Sequence, residues 1–445
     1  MSCVLELADI QGTVLRNRPM PYCGTYLVFS IDDARSARAL IRRLIPHIAS
    51  AQDWSTPVDA AWINVVFTCE GLRRLEVPEQ VIAGFPPEFR QGMAARAAYL
   101  GDVGRSAPEN WNFPHAHNGF HIGLFVMAPD AATRDEKLAI GHAARSGVGG
   151  INLIAHLDVG VPPTMREHFG YADGISRPFI EGEGGTPLPG QGAPAKAGEF
   201  ILGYPNELGE IAHAGGPPAL WRNGTFVALR KLRQDVASFR AWLHQQGATT
   251  QERELVAAKM MGRWRSGCPL ALSPERDDPG LAADKMRNNA FGYYNADREG
   301  RLTPVGSHIR RVNPRDALQD GLTDVRLHRV LRRGSAYGPL LPEDTVVDDG
   351  IDRGIVLALI NANPGRQFEF VQAQWINDGD FVCQGSRSDP IVGRRDRADD
   401  YAYPAKPSRR RLTALPDFTT TCGGEHVFLP GIGGLRWLSQ ESERD

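Results

Sequence analysis

The chain lacks the features that direct a protein into a membrane, onto nucleic acid or into a disulfide-stabilised fold. Its 445 residues contain no apolar run approaching the ~18 residues that a membrane-spanning helix needs. The 50 basic and 52 acidic side chains nearly cancel, and a net charge of −2 gives no electrostatic reason to expect nucleic acid or an anionic membrane as a partner. The six cysteines are scattered and show no CxxC spacing, which is typical of reduced thiols rather than of a metal or redox pair.

The first residues also lack the pattern of an export signal. Residues 1–6 (MSCVLE) contain neither a basic region followed by an apolar core nor a twin arginine. We therefore expect a cytoplasmic protein. The composition is that of an ordinary globular chain, with 42% apolar and 23% charged residues, and the length is sufficient for two or three domains of ~100–200 residues each.

A weak internal repeat predicts that the chain consists of two similar halves. In the first half the apolar stretch 24–29 leads through Asp33 into a segment with apolar residues at helical spacing. In the second half the stretch 224–229 leads through Asp235 into a similar segment. Each aspartate stands where a helix N-cap belongs, so both halves are expected to begin with a strand followed by a capped helix.

Further strand and helix candidates follow in both halves and favour an α+β protein. The strand candidates are residues 62–69, 121–127, 151–157, 355–360 and 368–371, and the helix candidates are 131–144 and 252–263. A long stretch rich in glycine and proline, 181–199, reads as a surface connection. We therefore expect a domain boundary near residue 215, with domains at 1–215 and 216–445.

One histidine, His308, lies in a short basic segment (GSHIRRVNPR) that a proline ends. Haem iron accepts a neutral imidazole as its axial ligand, and the second ring nitrogen of such a ligand usually donates to a carboxylate, for which Asp389 is the candidate. Arg310 and Arg311 are expected to meet haem propionates, because guanidinium groups pair well with carboxylates. The alternative is that His308 is an ordinary hydrogen-bonded histidine.

A second segment (GYADG) holds the carboxylate of Asp173 between two glycines. A carboxylate there could take a proton from hydrogen peroxide and return it to the distal oxygen, which is general acid–base catalysis. Arg332 and Arg333 could provide a fixed cation that stabilises charge as the O–O bond breaks. The alternatives are an Asx turn and a solvent-facing basic pair. Together with His308, these residues suggest a haem peroxidase.

A histidine cluster offers a different hypothesis. His115, His117 and His121 lie close together in PHAHNGFH and could hold zinc or iron without porphyrin. No cysteine or acidic ligand stands nearby and an HExxH motif is absent, which weakens this alternative.

The order and spacing of several short motifs resemble those of dye-decolourising peroxidases, in particular the longer members of that family, over nearly the whole chain. These motifs are DIQG at 9–12, EHFGYADGIS at 167–176, GEFILGY at 198–204, GRW at 262–264, the His308 segment, LRRG at 331–334, QFEF at 367–370, QW at 374–375 and FLPGI at 428–432. The resemblance implies two ferredoxin-like domains with antiparallel sheets, of the dimeric α+β barrel type. Haem b would lie mainly in the C-terminal half.

By position, the resemblance implies a role for four of the residues above. His308 would be the proximal ligand and Asp389 the proximal acid. Asp173 would be the distal carboxylate and Arg332 the distal arginine.

The resemblance also implies roles for four further residues. Leu357 and Phe370 would form apolar walls on the distal side. Tyr337 and Trp375 would be surface sites that carry radicals to donors too bulky to reach the haem edge, although residues of both types are also common in packing.

The implied function is that of a haem b peroxidase. It would reduce hydrogen peroxide and oxidise dyes, phenols or other bulky one-electron donors through a ferryl haem with a porphyrin radical. Its partners would be hydrogen peroxide and small aromatic reductants, and the chain would act as a monomer or a homodimer. The alternative is a protein that stores or delivers haem without turnover, but the presence of both Asp173 and Arg332 favours catalysis.

Overall fold

A computed structural model of the protein describes residues 4–52, 61–319, 323–385, 387–395 and 400–440. The strands are β1 (Cys23–Ile31), β2 (Trp62–Phe67), β3 (Ile122–Ala128), β4 (Ile151–Gly160), β5 (Thr225–Gln234), β6 (Leu331–Arg332), β7 (Ser335–Tyr337), β8 (Gly354–Asn361), β9 (Tyr401–Tyr403), β10 (Arg410–Leu412) and β11 (Thr419–Leu429). The helices are α1 (Ala34–Leu44), α2 (Cys69–Arg74), α3 (Glu79–Ala83), α4 (Pro87–Gln91), α5 (Ala97–Leu100), α6 (Ala131–Arg145), α7 (Pro218–Trp221), α8 (Val236–Gln246), α9 (Thr250–Met261), α10 (Pro279–Ala283), α11 (His308–Val312) and α12 (Ile432–Ser439).

Both halves of the chain form the same antiparallel half-sheet. The first has the strand order β4-β1-β3-β2, and the second has β11-β5-β8 with β6 and β7 sharing the remaining edge of β8. If the strands of each half-sheet are numbered in chain order, with β6 and β7 taken together as the second strand of the second half, both orders are 4-1-3-2. This is the order of a ferredoxin-like unit. The predicted α+β fold with two ferredoxin-like halves is confirmed, and the expected boundary near residue 215 falls between β4 and β5.

The two half-sheets close into a barrel. Strand β11 pairs with β2 at Phe428 and Phe67, and β4 pairs with β7 at Gly160 and Ala336. Side chains alternate across the wall of the barrel: Leu27 of β1 belongs to the apolar cluster beneath the helices of the first half, whereas its neighbours belong to the cluster inside the barrel. Closure removes the exposed sheet edges at these two junctions.

The predicted strand–helix repeat is confirmed, including its caps. Strand β1 is followed by α1, whose N-cap Asp33 accepts a hydrogen bond from the backbone N–H of Ser36 at 2.7 Å. Strand β5 is followed by α8, whose N-cap Asp235 accepts from Ser238 N–H at 3.0 Å. In each case the carboxylate satisfies a backbone donor that has no partner within the helix.

One predicted strand is wrong. Residues 368–371 belong to two successive π-helical turns, Gly365–Glu369 and Val371–Ile376, rather than to a strand. The Gln367 side chain stabilises this turn by donating to Glu199 O and Arg329 O, which are tertiary partners that a local sequence pattern does not show. Within the described ranges, no helix is long and apolar enough to cross a membrane.

Candidate active site

A cavity of about 1540 Å³ lies against the face of the second half-sheet that points away from the barrel interior. Arg230 and Leu232 of β5 and Leu357 of β8 line it, whereas Leu229 and Val356, their neighbours in sequence, point into the barrel. Pockets for drug-sized ligands measure ~300–1,000 Å³, so this one accommodates a larger group.

His308 and Asp389 meet at one wall of the cavity, although they are 81 residues apart. His308 is the first residue of α11, and its Nδ1–H donates to Asp389 Oδ2 at 2.9 Å. The other carboxylate oxygen accepts from the N–H groups of Ile391 at 2.8 Å and Val392 at 3.0 Å. The bond at Nδ1 leaves Nε2 of this cavity-lining imidazole available to a ligand.

The carboxylate of Asp389 is completely buried and is held in its charged form by its surroundings. Burial alone raises its pKa. The electrostatic interaction and hydrogen bond with His308, followed by the charge of Arg311 and the N–H of Val392, outweigh burial and lower the pKa below its ordinary value.

Asp173 and Arg332 both line the cavity and are exposed towards it. Arg332 extends from β6, and its Nη2–H donates to the carbonyl oxygen of Ser176 at 3.2 Å. Because Ser176 lies three residues after Asp173, this bond ties the strand that carries the guanidinium to the loop that carries the carboxylate. Gly174, next to Asp173, has a φ of +75°, a conformation that residues with a side chain rarely adopt.

A buried carboxylate holds the loop before Asp173 in place. Glu167 accepts hydrogen bonds from the N–H groups of Phe169 at 3.0 Å and Tyr171 at 2.8 Å, and from Gln234 Nε2 at 2.6 Å. Burial raises its pKa despite these bonds. The loop is therefore rigid where it presents Asp173 to the cavity.

The prediction for the apolar walls is half wrong. Leu357 lines the cavity, but Phe370 does not and instead stacks on His328 with ring centroids 3.9 Å apart. Phe368 takes its place in the cavity wall, together with Leu359. The π-helical winding of this segment turns Phe370 away, which the sequence pattern of the QFEF motif did not reveal.

The expectation that Arg310 and Arg311 meet propionates is wrong. Neither lines the cavity, and both side chains are buried against protein partners. Arg310 donates to Asp297, and Arg311 donates only to backbone carbonyl oxygens among the described residues. Arg310, two positions after His308, lies on the opposite side of this short helix, whereas the Arg311 side chain is turned towards the carbonyl oxygens of Trp375, Asp378 and Arg387.

Other arginines, missed by the sequence analysis, provide cations at the cavity. Arg329 and Arg315 both line it. Nη1 of Arg329 is buried without a hydrogen-bond partner in the part of the chain that the structure describes. A half-buried guanidinium with one buried, unsatisfied donor beside a cavity fits an anionic group of a ligand, such as a carboxylate.

The predicted radical sites are not at the surface. Trp375 is 1% exposed and lines the cavity, where its ring is stacked on Phe381. Tyr337 is 4% exposed and lies in the barrel cluster, and its hydroxyl donates to Asp352 at 3.0 Å. The prediction of exposure is therefore wrong for both residues.

The alternative metal site in the first half does not form. His121 is buried and its Nδ1 accepts from the N–H of Ile31 at 2.8 Å, while His115 is the N-cap of a 3-10 turn that contains His117. Across the described ranges, no group of three or more His, Cys, Asp or Glu side chains is arranged to hold a metal ion.

A buried ion pair in the cavity wall leads to a stability prediction. Arg230 is 3% exposed, and its guanidinium binds both oxygens of Asp102 and the hydroxyl of Thr421. Asp102→Ala leaves this charge unpaired and is expected to lower the free energy of unfolding by roughly 3 kcal/mol, as measured in urea. Glu299→Ala, which breaks the exposed pair with Arg301, is the control and should change little. Equal effects of the two substitutions would contradict a role for burial.

The residues around the cavity fit a haem group. Its lining includes an imidazole with a free Nε2, the apolar side chains of Leu357 and Phe368, and a guanidinium donor of Arg329 that has no partner among the described residues. The volume exceeds that of ordinary small-ligand sites.

Comparisons with known proteins agree with this description. Residues 9–147 match the family model described as the DyP dimeric alpha+beta barrel domain. Peroxidase 2 of Mycetinis scorodonius is 31% identical, over 97% of this chain and 87% of that protein. The dye-decolorizing peroxidase AauDyP1 of Auricularia auricula-judae is 28% identical, over 97% of this chain and 86% of that protein.

Solved structures of such proteins share the fold over their full length. The crystal structure of a decolorizing peroxidase from Auricularia auricula-judae has a TM-score of 0.84 at 27% identity and covers 98% of this chain and 100% of that chain. A dye-decolorizing peroxidase in complex with 2,6-dimethoxyphenol has a TM-score of 0.84 at 28% identity, with the same coverage.

Proposed function

The chain belongs to the dye-decolourising peroxidase family, and from that premise we propose that it is a peroxidase whose haem b is bound in this cavity, with hydrogen peroxide as oxidant and phenols or dyes as electron donors. One observation carries the proposal. A carboxylate-bound imidazole, His308 with Asp389, lies at one wall, and a carboxylate and a guanidinium, Asp173 and Arg332, face the same cavity.

Several residues would hold the haem. His308 would bind the iron through Nε2, and Asp389 would keep the imidazole oriented and electron-rich. Arg329 would pair with a propionate, while Leu357 and Phe368 would contact the ring. The haem supplies an iron that binds peroxide and accepts its oxidising equivalents.

Asp173 and Arg332, which also line the cavity, would handle the proton and the charge. Asp173 would take the proton from the iron-proximal oxygen of hydrogen peroxide and return it to the distal oxygen, which then leaves as water. Arg332 would stabilise the negative charge that develops on the departing oxygen. Its bond to Ser176 O keeps the guanidinium near the Asp173 loop throughout.

Haem loading and turnover test this function together. Protein reconstituted with haem b is expected to show a Soret band and to oxidise 2,6-dimethoxyphenol when hydrogen peroxide is added. A protein that only stores haem would bind it but would not react rapidly with peroxide in stopped-flow mixing. That result would contradict the proposal in favour of the alternative.

Tyr337 is the better candidate for carrying electrons from donors too large for the cavity. It pairs with Gly354 in β8, next to cavity-lining Ile355, and its hydroxyl has a proton acceptor in Asp352. Burial and then the charge of Asp352 raise the pKa of Tyr337, so the phenol must lose its proton as it loses its electron. Asp352 is 41% exposed and links this pair to solvent.

Tyr337→Phe is therefore expected to lose most of the turnover of a bulky anthraquinone dye while keeping that of 2,6-dimethoxyphenol, as measured by steady-state kinetics with both donors. Trp375→Phe is the control, because Trp375 is buried at the cavity itself. If only the tryptophan variant loses dye turnover, Trp375 is the route and the assignment of Tyr337 is wrong.

A further inference from the structure

Two adjacent buried arginines differ in what they hold together. Arg310 and Arg311 follow His308 on the same short helix, and their side chains are 2% and 0% exposed. Arg310 donates to Asp297 Oδ2 at 3.1 Å and to the carbonyl oxygens of Arg298 at 3.1 Å and Thr303 at 2.8 Å. Arg310 therefore fastens the helix to one segment that immediately precedes it in the chain.

Arg311 has one partner in its own segment and three partners in two segments that lie 64 to 76 residues further along the chain. Its guanidinium donates to four carbonyl oxygens, each a neutral acceptor. These are Gly306 O at 3.1 Å, Trp375 O at 2.9 Å, Asp378 O at 3.0 Å and Arg387 O at 2.8 Å.

The positions of these carbonyls relate directly to His308 and Asp389. Gly306 lies two residues before His308, and Arg387 lies two residues before Asp389. Trp375 and Asp378 lie close to Ile376, whose carbonyl oxygen accepts the N–H of Asp389 at 2.7 Å. One planar guanidinium thus spans the backbone that carries the imidazole and the backbone that carries its carboxylate.

A second, half-buried arginine supports the loop that carries the carboxylate. Nη2 of Arg395 donates to the carbonyl oxygen of Asp389 at 2.7 Å, and Nη1 donates to the hydroxyl of Ser388 at 2.7 Å. The loop of Asp389 is therefore held by two guanidinium groups, but only Arg311 also contacts the segment of His308.

We propose that Arg311 is a positioning residue for the proximal pair, because its rigid fork sets the distance at which Asp389 accepts the Nδ1 proton of His308. A guanidinium holds its donors in one plane with fixed angles, unlike a flexible ammonium group. The length of the histidine–carboxylate bond controls how much negative charge the imidazole carries to a bound metal. The inference rests on the proposed function, since it needs His308 as the iron ligand.

The test uses haem-loaded protein and the iron–histidine stretching band of its ferrous form, measured by resonance Raman spectroscopy. Asp389→Asn replaces the charged acceptor with a neutral amide oxygen and is expected to shift this band to lower frequency. Arg311→Met should shift the band in the same direction by a smaller amount and should broaden it. Arg310→Met, matched in residue type, helix and burial, should leave the band unchanged while lowering thermal stability to a similar extent.

A double variant separates positioning from a general loss of structure. If Arg311 acts through the pair, Arg311→Met should add little further shift to Asp389→Asn, because the charged acceptor that it positions is already gone. A full additional shift, or an equal shift in Arg310→Met, would overturn the proposal. If Arg311→Met does not fold, Arg311→Lys can be used, because it keeps the charge and most of the volume. This variant is expected to shift the band in the same direction. An unshifted band in Arg311→Lys would also overturn the proposal.

A different set of results would contradict the proposed function itself. If Asp389→Asn leaves the band unchanged, or no iron–histidine band exists in the unmodified protein, His308 is not the ligand, whatever Arg311 does.

Discussion

Replacement of His308 by alanine is expected to abolish stable haem binding. The imidazole is the cavity-lining group whose Nδ1 is already engaged by Asp389 and whose Nε2 remains for the iron. Without it, the apolar contacts and guanidinium groups of the cavity remain, but they do not hold the metal. Purified His308→Ala should therefore show no sharp Soret band of normal intensity, and added imidazole should restore part of it.

His328 provides a matched control for this experiment. It is a second buried histidine that lines the same cavity, but both of its ring nitrogens are occupied: Nδ1 donates to Arg366 O at 2.6 Å, and Nε2 bonds with the hydroxyl of Thr323 at 2.8 Å. His328→Ala should keep the Soret band. Loss of haem from the His328 variant but not from the His308 variant would show that the axial ligand is assigned to the wrong residue.

Asp173→Asn is expected to keep haem and to react with hydrogen peroxide more slowly by ~10²–10⁴, the usual contribution of a general acid–base group. An amide has nearly the shape of the carboxylate but cannot accept the peroxide proton. The bimolecular rate of the reaction of the ferric protein with peroxide, measured by stopped-flow absorption, is the relevant quantity. Its value should fall while the Soret spectrum before mixing stays the same.

Two further variants define what the result means. Asp324→Asn is the control, because Asp324 also lines the cavity but is paired with Arg326. Arg332→Leu tests the other group on the same wall. If Arg332→Leu loses the peroxide reaction while Asp173→Asn retains it, the guanidinium is the main distal catalyst and the role proposed for the carboxylate is wrong.

Local sequence patterns predicted those parts of the fold that depend on interactions between residues close together in the chain. The strand–helix repeat with Asp33 and Asp235 at the N-caps could be predicted because a cap is formed by residues three positions apart. By contrast, residues 368–371 were predicted as a strand, because the tertiary bonds of Gln367 that hold the π-helical turn leave no local signal.

The sequence could not predict which side chains at the site point into the cavity. His308, Arg310 and Arg311 are neighbours in the chain, yet only His308 lines the cavity, since residues on one helix turn point in different directions. Phe368 rather than Phe370 reaches the cavity for a similar reason. Arg329 has no distinctive motif, and only its burial beside the cavity with an unsatisfied donor identifies it.

The sequence by itself determined which chemical groups are available: one imidazole in a basic segment, one carboxylate between glycines and an arginine pair before a glycine. Only the tertiary structure decided which of them meet. His308 reaches a carboxylate 81 residues away, and Arg332 is tied to the Asp173 loop across 156 residues. These contacts depend on closure of two half-sheets and on the packing of loops against one of them, which are long-range interactions that no short stretch of chain encodes.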